Sequence, residues 1–108
     1  MKKHKEIELE IKRRIDSIDY DLVFVEEDIL GWGFRVIIVS DTFSGKTINK
    51  RFDEVYDLIN KKDLNFYRDN QLVLNLITLK EYQNYLLEKE KNPQKADALL
   101  DRENKTNH

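Results

Sequence analysis

The chain has 108 residues, 34 of them Leu, Ile, Val or Phe, which is enough apolar material for one packed core and too little length for two. That share excludes disorder along the whole length, and the 37% of charged residues belongs on a solvated surface. A formal net charge of -2 makes any nucleic-acid binding depend on a local basic patch, and the absence of cysteine excludes disulfides, thiolate metal sites and cysteine nucleophiles.

In chain order, Ile7, Ile11, Ile15 and Ile18 recur at helical spacing and predict a first helix over residues 6–18. Leu22-Val23-Phe24-Val25 predicts a strand, and Phe34 to Ser40 predicts a second. Residues 26–33 read as the connection between them, and strands this close in sequence are expected to form an antiparallel hairpin. Asp41 to Lys46 has turn chemistry. Ile48, Phe52, Val55, Tyr56 and Ile59 then give a second amphipathic helix, closed by Asn60-Lys61-Lys62-Asp63. A polar connection reaches a third strand at 71–77, in which Leu72, Leu74 and Leu76 share a face. Thr78-Leu79-Lys80-Glu81 matches a capping box, and Tyr82, Tyr85, Leu86 and Lys89 place the last helix. The expected fold is α+β in the order α-β-β-α-β-α, a three-stranded mixed sheet with helices packed on it. Residues 1–90 form the domain. Residues 91–108 form a polar, flexible tail after Pro93, with a helical turn near 96–100.

Each chemical signal has a plainer reading beside it. Ser40 to Thr47 approximates a phosphate-binding loop, but Ser40 stands where a glycine is required and the preceding strand belongs to a hairpin. The stretch is read as a tight turn in which Gly45 takes positive φ. The only histidines, His4 and His108, lie in termini expected to be mobile, so no catalytic site is assembled. Glu26, Glu27 and Asp28 are adjacent carboxylates read as facing water, and no metal site is assigned. Trp32, between Gly31 and Gly33, either anchors a partner or folds back over the small core. Lys46, Lys50 and Arg51 begin the second helix as a basic run, either a solvated face or a surface for phosphates or partner carboxylates.

The stretch Phe34-Arg35-Val36-Ile37-Ile38-Val39-Ser40-Asp41-Thr42-Phe43-Ser44-Gly45-Lys46, followed by Arg51 and Val55-Tyr56, resembles the BolA signature: an apolar strand, Ser, a Phe-x-Gly-Lys turn, and a helix carrying an Arg and a Val-Tyr pair. Ile77-Thr78-Leu79-Lys80-Glu81-Tyr82 is similar to that family's entry to its last helix, with Leu79 where Pro is usual. The likeness covers about residues 6–87. It implies a fold like a class II KH domain, no catalytic activity, a monothiol glutaredoxin as partner, and a 2Fe-2S cluster shared with that partner. Bacterial members are also described as DNA-binding regulators, and the resemblance puts Lys46, Lys50 and Arg51 in the proposed DNA-contacting region.

The chain departs from the family at the residues that matter for a cluster. Phe52 stands where His usually follows the Arg, no His lies near Asn70 and Gln71 where the family's ligand begins the third strand, and Gly31-Trp32-Gly33 lacks the second His or Cys of the first connection. The isolated chain is therefore expected to bind no cofactor and to be a monomer. Its surface of Gly45, Lys46, Lys50 and Arg51, with Trp32 as a second anchor, is expected to meet glutaredoxin or, alternatively, DNA or RNA. The longest apolar runs are far below the roughly 20 residues needed to cross a bilayer. With no signal-peptide core, the expected location is cytoplasmic, or organellar if a targeting segment has been removed.

Overall fold

The computed structural model describes residues 4–27 and 33–94. Its elements are α1 (His4–Arg14), β1 (Leu22–Glu27), β2 (Phe34–Val39), a 3-10 turn (Asp41–Phe43), α2 (Ile48–Ile59), α3 (Phe66–Asp69), β3 (Leu72–Ile77) and α4 (Leu79–Lys91). The strands form one mixed sheet in the order β1-β2-β3. β1 and β2 are antiparallel neighbours from Leu22↔Val39 to Glu27↔Phe34, while β2 and β3 run parallel from Phe34↔Leu72 to Val39↔Ile77.

The central strand explains its own sequence. β2 is paired on both sides and covered on both faces, so Val36, Ile37, Ile38 and Val39 are all buried, and the run is continuous rather than alternating. On one face Ile7, Ile11 and Ile15 from the α1 segment and Val55 and Ile59 from α2 pack onto Val23, Val25, Val36, Ile38, Leu72, Leu74 and Leu76. Phe52 joins this core as a half-buried ring. Each fully buried aliphatic side chain there contributes roughly 2 kcal/mol. The opposite face is thinner. Ile37, Val39 and Ile77 are buried under Tyr85 of α4, with Leu22, Phe24, Leu79 and Tyr82 half-buried around them.

Three boundaries differ from the sequence expectation. α1 ends at Arg14, and Ile15 and Ile18 continue into a turn closed by Ile18 N–H donating to the Ile15 carbonyl at 2.9 Å. β1 runs on through Glu26 and Glu27, because they pair with Arg35 and Phe34 and because Arg35 reaches the Glu26 carboxylate at 3.4 Å. The polar connection before β3 contains α3, a single turn anchored by the buried Phe66. It is held by Asn60, whose side-chain oxygen accepts from Tyr67 N–H, and by Asn70, whose amide donates to the Phe66 carbonyl.

Side chains from the helices also reach the backbone of the two outer strands. The Glu8 carboxylate of α1 accepts from Val25 N–H at 3.3 Å. The carbonyls of Gln71, just before β3, and of Ile77 face β2, accepting from Phe34 and Ser40 N–H, so the intervening Leu76 carbonyl points away from the sheet. It receives the Arg51 guanidinium at 2.9 Å. Among the described residues, no helix is long and apolar enough to cross a membrane.

Candidate partner-binding surface

Of the residues singled out in the sequence, Ser40, Gly45, Lys46, Lys50 and Arg51 lie where β2 and β3 end and α2 and α4 begin. Ser40 is fully buried, its hydroxyl donating to the Asp19 carbonyl at 2.8 Å and accepting from Thr42 N–H at 3.1 Å, which starts the 3-10 turn. Phe43 is driven into the core, and Gly45 follows with φ +76 and open space where a side chain would stand. This agrees with the tight-turn reading. Thr47 then caps α2 by accepting from Lys50 N–H.

Arg51 departs from the expectation of a shared exposed surface. It is only 6% exposed. Its Nε donates to the Lys46 carbonyl at 3.0 Å, and Nη1 donates to the Leu76 carbonyl and to Glu81 Oε1, each at 2.9 Å. Glu81 closes the capping box as well, accepting from Thr78 N–H at 2.8 Å while the Thr78 hydroxyl accepts from Glu81 N–H. The guanidinium has turned inward because the end of β3 leaves a carbonyl to satisfy and α4 begins with a carboxylate beside it. Lys46 precedes α2 and pairs with Glu54 at 3.0 Å. Gly45 and Lys50 are exposed and Lys46 is half-exposed. Trp32 lies outside the described residues.

At the opposite end of the parallel pair, Gly33 meets Gln71. A Cβ on Gly33 would lie 2.2 Å from the Gln71 carbonyl oxygen, so the approach requires glycine. Gln71 itself has φ +50, and the amide of Asn70 folds back onto α3. Between α2 and α3, Phe52 stacks on Tyr56, with centroids 5.4 Å apart, and Tyr67 meets both rings edge-on at 5.6 and 5.3 Å. Burial, and then the neighbouring Tyr56, push the Tyr67 phenol above its ordinary range. The Phe52–Tyr56 pair is visible in the sequence as a four-residue step, but the third ring arrives from α3, which periodicity does not reveal.

His4 is the first residue of α1 rather than part of a loose terminus, and it shares a shallow cleft with Val25, Glu26 and Glu27. Asp28, the tail from 95 onward and His108 lie outside the described residues. Among the described residues, no three His, Cys, Asp or Glu side chains converge as a metal site would require. The residues beside Gly33 and Gln71 do not fit an iron–sulphur centre either, since amides and carbonyls stand where soft thiolate or imidazole ligands are needed. A separate cleft of about 360 Å³ between α1 and α2 is lined by Glu10, Arg13, Arg14, Asp16, Leu58 and Lys61 among others, charges of both signs. Comparison with family models, with curated proteins and with solved structures returns no match.

Proposed function

We propose that the chain is a non-enzymatic adaptor of the BolA type, binding a monothiol glutaredoxin in iron–sulphur cluster handling. One observation carries the reading: the residues of the resemblance form a single connected unit. Ser40 starts the turn, Gly45 completes it, Arg51 ties it to the end of β3, and Glu81 ties Arg51 to the Thr78 cap of α4. Such coherence supports a shared architecture more strongly than scattered identities do, because each residue has a physical reason to be where it is. The partner surface is then the outer side of this unit, made by Gly45, Lys46 and Lys50. Its expected location is cytoplasmic.

The alternative, a DNA- or RNA-binding regulator, rests on the same basic run. Burial of Arg51 takes one cation away from it, and Glu54 offsets a second at Lys46. Phosphate binding needs several cations at once, so the adaptor reading is favoured.

The test is a titration of the purified chain against a purified monothiol glutaredoxin, with duplex DNA and single-stranded RNA titrated separately at low and high salt. Saturable glutaredoxin binding is expected, weakened about tenfold by Lys46→Glu with Lys50→Glu through opposing charge. The fold of this variant should stay intact, since exposed ion pairs contribute little to stability. Salt-sensitive nucleic-acid binding without glutaredoxin binding overturns the proposal.

A further inference from the structure

We infer, on the adaptor reading above, that this chain engages its glutaredoxin partner without donating any ligand to an iron–sulphur cluster. The place where the resemblance locates two ligands exists in this fold. Gly33, the residue before β2, packs there against the Gln71 backbone, and Phe34 N–H donates to the Gln71 carbonyl at 3.3 Å. What has changed is the chemistry of the groups that arrive.

The described positions to which the resemblance assigns ligands, and their neighbours, are committed to the fold. Gly33 carries no side chain and cannot acquire one without displacing the Gln71 backbone. Asn70 uses its amide to close α3. Gln71 offers only a neutral amide, a poor ligand for iron held among sulphides. Phe52, where the family has an imidazole, is locked into three packed rings. Cysteine is absent from the whole sequence. The described imidazole, His4, sits against the end of β1, whereas Gln71 leads into β3 on the opposite side of β2. His4 is not a position to which the resemblance assigns a ligand, and it lies in a shallow cleft with Glu26 and Glu27. Coordination of the cluster is thus left to the partner's side of the complex, and this chain contributes recognition alone.

The experiment mixes the nitrogen-isotope-labelled chain with unlabelled, cluster-loaded monothiol glutaredoxin. Complex formation is followed by gel filtration, cluster symmetry by visible circular dichroism, and coordination by pulsed electron paramagnetic resonance of the reduced cluster. The expected result is a complex whose cluster dichroism matches that of the free partner and whose resonance shows no coordinated labelled nitrogen. A coordinated labelled nitrogen, or an altered dichroism, overturns the inference; loss of a nitrogen signal in His4→Ala combined with His108→Ala identifies the imidazole responsible. Failure to form any complex overturns the adaptor reading itself, and the inference falls with it.

Discussion

Three acceptors hold Arg51, and they come from distant parts of the chain: the Lys46 carbonyl five positions before it, the Leu76 carbonyl 25 after and the Glu81 carboxylate 30 after. Replacing it with Ala leaves two carbonyls without this donor and a half-buried carboxylate without its counter-charge, and the expected cost is about 3 kcal/mol. Arg51→Lys should recover only part of that, since one ammonium cannot reproduce the planar fork. Urea unfolding measures both, and a loss under 1 kcal/mol for Arg51→Ala would contradict the buried geometry. The two described glycines separate two causes of intolerance. Gly45→Ala is expected to cost about 1 kcal/mol from positive φ alone, because nothing crowds its site. Gly33→Ala should cost more, since its Cβ collides with backbone at Gln71 and the start of β3 must move. Equal losses in thermal unfolding would argue against that contact. The sequence showed that Gly45 occupies a turn, but it hid the direction of Arg51, because the groups that turn a charged side chain inward lie tens of residues away.

At the level of elements, the 3.6-residue stripes of α1 and α2 and the parity of β3 were legible because burial on one face repeats locally. The capping box of α4 was legible for the same reason, its partners being three residues apart. α3 was not, since one turn with one buried Phe has no period to detect. Nor was the second core face, because Tyr82 and Tyr85 show that α4 packs without showing onto what. The candidate site was legible only in part: its turn and its exposed lysines followed from sequence, whereas the aromatic trio and the meeting of Gly33 with Gln71 depend on the fold. One element contact depends on pH. Arg14 donates to the carbonyl that ends α2, at Ile59, while its Nε donates to Glu10 at 2.7 Å. The hydrogen bond from Arg14, aided by attraction to Arg13 and Arg14 and opposed by slight burial, holds the Glu10 carboxyl below its ordinary value of 4.5. A folded value below the unfolded one stabilises the protein above the unfolded value, and the gain is lost as pH falls through the folded value. Glu10→Gln should therefore lower stability modestly at neutral pH, leave it little changed below the folded value, and so flatten the acid side of the stability profile. A nuclear magnetic resonance titration that puts the Glu10 midpoint at or above 4.5 would contradict the contact.

For the whole molecule, the two sides of the sheet are unequal. Two helices and fourteen buried side chains make one core, whereas three buried strand side chains and Tyr85 of α4 make the other. Native-state hydrogen exchange should follow that difference: β2 amides slowest, close to global unfolding, and the last turns of α4, beside the exposed Leu86 and Leu87, much faster. If those turns exchange as slowly as β2, the second core is stronger than its burial implies.

The helix side chains bound to the outer strands have a further consequence for how this protein meets others. An outer strand with unpaired backbone groups is a template on which another chain can add itself, by design in peptide recognition or by accident in aggregation. Here a carboxylate occupies a donor of β1 and a guanidinium occupies an acceptor of β3, so growth of the sheet in either direction meets a plug of matching charge. A partner is thereby directed to side-chain surfaces. The same plug makes Arg51 a guardian of solubility: when it is lost, the apolar strand Leu72–Ile77 presents a bare carbonyl to a second copy, and light scattering of Arg51→Ala should rise with concentration under conditions where the fold is still intact.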